Sequence, residues 1–157
     1  MRAINKQLKL HLPIDKAFWH FVENINEWWP REYTWSKDKL QQIYIEPEEN
    51  GKCTEIGPYN FRCDWGRVID FLPNQLIAFT WQISPKREPV PNPEMASLVT
   101  LHFLEDEDGT EIHFRHSHFE NHGEEGENYM NMMNGEYGWD YILKRFKTYC
   151  EQPLMLV

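Results

Sequence analysis

Hydrophobic and polar positions alternate with a period of two through most of this chain. Leu8, Leu10 and Leu12 interleave with Lys9 and His11, which predicts a strand with one buried face, ended by Pro13. The pattern then lengthens. Ala17, Phe18, Phe21 and Val22 form the apolar face of a short helix with Asp15 as its N-cap, and residues 24–30 read as a second short helix or turn. Six strands follow, over residues 43–47, 52–56, 62–72, 76–83, 96–104 and 110–119. Turn sequences such as Asn50-Gly51 and Pro73-Asn74 separate them, as does a proline-rich loop over 84–94. An acidic link over 120–127 comes next. Beyond it Met132, Gly135, Trp139, Ile142, Leu143, Phe146 and Cys150 are spaced 3, 4, 3, 1, 3 and 4, which predicts one amphipathic helix over 132–151. Gly135 and Gly138 are its weak points, each costing roughly 1 kcal/mol against Ala, and they predict a kink or close packing. Gln152, ahead of Pro153, sets its end.

The order is strand, two short helices, six strands, long helix. Strands joined in sequence by short turns pair as antiparallel hairpins, and such a sheet needs one face covered. The long helix covers it, and the short helices close one end. The expected class is α+β, in one domain over residues 1–157.

Composition narrows the partners. The net charge of −9 disfavours nucleic acid and anionic membranes, and no apolar run is long enough to span a bilayer. The first residues, MRAINKQLKLHL, mix charge and leucine and do not read as an export signal. Cys53, Cys63 and Cys150 form no CxxC, so free thiols in a cytoplasmic protein are expected. Aromatic residues make up 15% of the chain, with seven Trp, which suits a bulky core or a ligand cavity.

Motifs along nearly the whole chain carry a resemblance. They are Leu12-Pro13-Ile14 with Ala17-Phe18, Glu27-Trp28-Trp29-Pro30, Gly51 with Glu55, and Trp65-Gly66-Arg67-Val68. The series continues with Pro73-Asn74-Gln75-Leu76, Phe79-Thr80-Trp81, Ser97-Leu98-Val99-Thr100, Gly109-Thr110, His116, and Gly138-Trp139 with Leu143. In this order they resemble the SRPBCC superfamily, the helix-grip fold shared with START domains and the birch pollen allergen. Within it the chain is most similar to the activator of heat-shock protein ATPase homologue family. The resemblance implies a strongly curved antiparallel sheet wrapped around the C-terminal helix, with an apolar cavity between them. For function it implies little, because the superfamily hosts carriers, cyclases, hydrolases and chaperone-binding modules.

Strand parity supplies candidates for the cavity wall. Phe79 and Trp81 share a side with Ile77 and Ile83. Val99, Leu101 and Phe103 share a side of the next strand, and Ile112, Phe114, His116 and His118 a side of the last. Trp139 and Leu143 face them from the helix, and Trp29 is a candidate lid. Glu55, Asp64 and His116, if inward, are the polar groups of a small-molecule site, the bland alternative being pairing with Arg62, Arg67 or a backbone group. The expected function is binding of an apolar or aromatic small molecule. The alternatives are a cyclase- or hydrolase-type enzyme using His116 with Glu55 or Asp64, and a chaperone-interaction module. His116, His118 and His122 invite a metal, but no further ligands converge in the sequence, so no metal and no cofactor are expected. Nor is there a nucleophile motif. Leu98 and Leu104, with Trp65 and Ile69, are expected to form an outward apolar strip suited to a homodimer contact, to which the tail 154–157 would add.

Overall fold

The computed structural model describes residues 2–152. The tail 154–157 lies outside them. The chain runs β1 (Ile4–Leu10), α1 (Ile14–Val22), α2 (Ile25–Trp28), β2 (Gln42–Ile45), β3 (Lys52–Ile56), β4 (Arg62–Leu72), β5 (Leu76–Trp81), β6 (Ser97–Asp106), β7 (Gly109–Ser117), α3 (Gly126–Met133) and α4 (Trp139–Cys150). All seven strands join one antiparallel sheet in the order β1-β7-β6-β5-β4-β3-β2. From β2 to β7 each strand pairs with the next in sequence, through short links except for the proline-rich loop between β5 and β6. Only β1 crosses over, pairing Ile4 with His116 and Leu10 with Thr110. This is the helix-grip fold, with α4 held in the concave face.

The curvature is written into β4. Cys53 pairs with Gly66 but Thr54 with Asp64, leaving Trp65 as an extra residue. Val68 pairs with Phe79 but Asp70 with Ala78, leaving Ile69 extra. Two bulges in one strand increase its twist and bend it around the helix. They also change parity. Trp65, expected outside, turns inward and is buried, whereas Ile69 and Leu104 stay exposed and Leu98 is half-buried. Gly66 is required at the first bulge, since a Cβ there would lie 2.4 Å from the Thr80 carbonyl oxygen.

The expected helix over 132–151 is two helices. α3 stops at Met133 and α4 starts at Trp139. Gly138 adopts a non-helical backbone and closes on the end of α3, so that a Cβ there would lie 2.2 Å from the Met133 carbonyl oxygen. Two glycines in five residues made a continuous helix expensive, and the break lets α3 turn Tyr129, Met130 and Met133 into the core. The C-terminal half of the stripe holds: Trp139, Ile142, Leu143 and Phe146 are buried. Met132, expected in the stripe, is exposed. At the other end of the chain α1 begins at Ile14, with Asp15 inside its first turn rather than capping it. Phe21 of α1 and Trp28 of α2 pack on Phe146 with ring centroids 5.3 Å and 4.8 Å away.

The two glycines therefore differ in what they tolerate. Gly138→Ala should cost roughly 1–3 kcal/mol of stability through the clash with the α3 terminus. At Gly135 the nearest atom to a new Cβ is 3.4 Å away, so Gly135→Ala should leave stability unchanged or slightly raised. Thermal melts of the two variants check this. Equal melting temperatures would count against the close approach.

Candidate functional site

The concave face carries the residues that strand parity assigned to it. Phe79, Trp81, Leu101, Phe103, Phe114 and His116 are buried, with Trp139 and Leu143 of α4 opposite. Four indoles meet among them. Trp29 stacks on Trp65 with 5.8 Å between centroids and 21° between planes, and it lies 6.1 Å from Trp81 and 6.2 Å from Trp139. Trp81 and Trp139 are 5.2 Å apart, and Phe114 is 4.5 Å from Trp139. These rings occupy much of the space between sheet and helix. Five surface recesses are lined by other residues than Trp29, Trp65, Trp81 and Trp139. Surplus aromatic volume has gone into close packing, the normal state of a protein interior. One polar atom in the cluster is left over: the Trp65 Nε1 is buried without a hydrogen-bond partner.

A polar chain runs through the other end of the cluster. The Trp139 Nε1–H donates to His116 Nδ1 at 2.9 Å, and His116 Nε2 lies 2.7 Å from Ser97 Oγ. Ser97 Oγ lies in turn 2.7 Å from His122 Nε2. The indole can only donate, so Nδ1 of His116 accepts and its Nε2 carries the proton. Ser97 Oγ then accepts from His116 and donates to His122. Both imidazoles are held neutral by this arrangement. Burial, with His122 nearby, pushes His116 well below the usual histidine range, and burial pushes His122 down to about 4. Sequence reasoning weighed His122 only as a metal candidate and named Ser97 only within a motif, so neither was placed in this chain. Ser97 shares the parity of Val99 and Leu101 and was open to that argument. His122 was not, because it arrives only through a reversal after β7. His118, which strand parity alone sets beside His116 but which reads more simply as an exposed histidine, adopts a left-handed backbone (φ 64°), is exposed, and bonds Ser117 Oγ at 2.9 Å. The HxH pair is thereby split. Among the described residues, no three potential metal ligands converge.

Glu55 and Asp64 do not join His116. The Trp65 bulge places Asp64 on the Thr54 face, where it accepts from Thr54 Oγ1 at 2.8 Å and meets Arg62 at 3.5 Å. Glu55 is buried and accepts from the Trp35 and Ser36 backbone N–H groups at 3.1 Å and 2.8 Å. The acid–base pairings of His116 with Glu55 or Asp64 are therefore not assembled. What Glu55 does is fix the segment after α2. That segment and the turn after β5 enclose a cleft of about 320 Å³ lined by Glu32, Tyr33, Thr34, Trp35, Lys37, Ile83 and Arg87. In sequence, Trp29 and Trp81 of the indole cluster shortly precede the lining residues Glu32 and Ile83. Above Ile83, Tyr129 donates to the Ile83 carbonyl at 2.8 Å and accepts from Trp81 Nε1 at 2.7 Å, with burial raising its phenol to about 12. Cys53, Cys63 and Cys150 are thiols, and no helix among the described residues is long and apolar enough to cross a membrane.

A bent antiparallel sheet gripping a C-terminal helix through an aromatic and imidazole interior defines a helix-grip protein of the SRPBCC superfamily. Residues 12–151 match the family described as Activator of Hsp90 ATPase homolog 1-like protein, and the chain belongs to that family. None of the curated proteins matches it. Among solved structures it is similar to an anthrahydroquino-gamma-pyrone synthase, with 22% identity, TM-score 0.66, and 94% of this chain and 96% of that chain covered. It is similar also to protein SSP2350 from Staphylococcus saprophyticus, with 22% identity, TM-score 0.64, and 96% and 93% covered. A third is the Aha1 dimer from Colwellia psychrerythraea, with 16% identity, TM-score 0.66, and 96% and 97% covered. At these identities the likeness is one of fold, and it is a fold consistent with ligand binding.

The neutral imidazoles make stability depend on pH. In the unfolded chain a histidine takes up its proton near pH 6.5. In the folded chain His122 stays neutral to about pH 4 and His116 is also lowered. Between those limits the unfolded state holds more protons, so stability falls as pH falls through 6.5, and these groups add no slope above it. His20, lowered by burial, contributes in the same direction. The lowered carboxylates Glu32, Asp106 and Glu151 add a loss of the same sign from about pH 5 downward, which a change at His122 leaves in place. Urea unfolding at pH 7.5 and 5.0 should show a loss that shrinks in His122→Gln, whose amide still accepts from Ser97. An unchanged loss would sink this account of the polar chain.

Proposed function

We propose that the protein binds a planar aromatic small molecule between the sheet and α4, in the place Trp29 holds in the structure described here. The Trp29–Trp65 stack carries this reading. Trp29 comes neither from the sheet nor from α4, but from the end of the four-residue α2. Its ring rests on an indole whose N–H has no acceptor. A flat ligand bearing an oxygen in that place would keep the stacking and satisfy the N–H, each a favourable exchange. The cleft between Tyr33 and Arg87 offers the route, and Trp81, Phe79, Phe114, Trp139 and Leu143 complete the apolar wall. Leu101 and Phe103 lie deeper in the same wall. His116, with both nitrogens engaged, orients Trp139 rather than the ligand. The name of one structural neighbour, an anthrahydroquino-gamma-pyrone synthase, speaks of fused aromatic rings and agrees with this class of ligand.

A second copy of the chain is the protein partner we propose. Leu72 and Leu104 are exposed on the outer sheet face, with Leu76 between them through the pairing of β4, β5 and β6. One neighbour is described as a dimer. Sedimentation velocity should find a dimer that Leu104→Lys dissociates. A monomer at all concentrations removes the idea.

Binding is tested with 2-naphthol and naphthalene, followed by tryptophan fluorescence. Saturable binding of 2-naphthol, weaker for naphthalene, is expected. Trp29→Ala removes the competing ring and leaves a space of the kind that binds small aromatics, so affinity should rise by about tenfold, or ~1.4 kcal/mol. Absence of saturable binding in both proteins overturns the proposal.

A further inference from the structure

Two walls of the cleft beside the indole cluster are cationic, and both cations sit on unusual backbone. Among the described residues, four that are neither Gly nor Asn have a left-handed φ: Lys37, Tyr59, Arg87 and His118. Two of these, Lys37 (φ 51°) and Arg87 (φ 64°), line this one cleft. Arg87 closes the turn between Ile83 and Pro89, where its N–H donates to the Ser84 carbonyl at 2.9 Å. Glycine or asparagine takes such a position without steric cost, so an arginine there is held against local preference. Neither Lys37 nor Arg87 makes an ion pair among the described residues, in a chain with 25 acidic and 16 basic residues. The Arg87 guanidinium is poised over the Tyr33 ring, 5.4 Å from its centroid, and Tyr33 is anchored through its hydroxyl to the Tyr137 carbonyl. Trp35 Nε1 donates to the Arg87 carbonyl at 2.8 Å and ties the turn to the opposite wall. Neither nearby carboxylate pairs with Lys37 or Arg87 among the described residues, although Glu32 itself lines the cleft and keeps its charge. Glu32 accepts from the Tyr141 hydroxyl at 2.6 Å, and Glu55 accepts from two backbone N–H groups behind the wall.

We infer that this cleft selects a planar aromatic acid, the carboxylate meeting Arg87 and Lys37 while the ring passes Tyr33 and Trp35 into the place of Trp29. The inference rests on the proposed aromatic-binding function and names the chemical class of its ligand. Arginine suits the task because its fork of N–H donors matches a carboxylate in two parallel hydrogen bonds. Lysine adds a point charge on the facing wall. The volume, at the low end of ligand sites, limits the acid to one or two rings.

The probes are 2-naphthoate and 2-naphthamide, which share a ring system and differ in charge. The wild-type chain should bind naphthoate about tenfold tighter than the amide, a preference that shrinks in 0.5 M salt. Arg87→Gln with Lys37→Gln should abolish the preference, naphthoate binding falling to the level of the amide. Arg87→Gly provides a control on folding, since it relaxes the left-handed turn: its melting temperature should be equal to or above wild type while naphthoate binding falls about tenfold. Equal binding of both probes by the wild type, or a preference that survives the double variant, overturns the acid inference and leaves aromatic binding standing. Failure of both probes to bind overturns the aromatic reading, and the acid inference with it.

Discussion

The hydrogen bond from Trp139 Nε1 to His116 Nδ1 joins the first turn of α4 to the last strand of the sheet, inside an otherwise apolar cluster. A helix held only by apolar packing can slide or rotate at small cost, because dispersion is undirected. One buried donor with one acceptor removes that freedom, since a slip of either element strands two polar groups away from water. The bond also dictates the tautomer of His116 and, through Ser97, that of His122. Position, tautomer and charge state are thus set together. The Phe21, Trp28 and Phe146 contacts at the other end of α4 provide the adhesion, and this bond provides the register.

The same logic explains why polar residues in the interior do structural work first. Glu55 is buried with two backbone donors, and Asp64 is turned to Thr54 by an extra residue in β4. The carboxylate left in the interior therefore shapes a wall rather than offering a base. The cations behave in the opposite way. Lys37 and Arg87 hold unfavoured backbone and, among the described residues, form no ion pair.

Much of this architecture is legible in the sequence, and the failures have identifiable causes. Alternation of Ile77, Phe79 and Trp81, of Val99, Leu101 and Phe103, and of Ile112, Phe114 and His116 specifies both strands and inner face, since a one-residue slip would expose each set. Trp65 escaped because a bulge inserts one residue without leaving a mark on composition, and its apolar side chain reads the same on either parity. The helical stripe from Trp139 to Phe146 was visible, and so were the glycines ahead of it. That they divide two helices depends on the close approach of Gly138 to Met133, a tertiary fact. Parity also identified which aromatic residues face inward but not how much space they leave. Filling is a property of rotamers and volumes from seven strands and four helices at once. The cleft between Tyr33 and Arg87 joins segments some fifty residues apart, Trp35 to Arg87, through a hydrogen bond that no periodicity encodes.

The strand order has a consequence for how the chain is made. Every neighbour pairing from β2 to β7 is local, so these hairpins are free to close as they leave the ribosome. β1 has a single partner, and the pairing of Ile4 with His116 spans most of the chain. The first strand synthesised is thus the last to be hydrogen-bonded, and its Leu8 and Leu10 must wait in the open while the sheet assembles without them. Until then β7 is an uncovered edge, the feature most prone to pairing with another molecule. Helix α4, which rests partly on β7, emerges later still. The amino-terminal strand and the carboxy-terminal helix therefore complete the domain in the same late step, and a nascent chain stalled short of that step exposes a sticky edge and an unfilled concave face together.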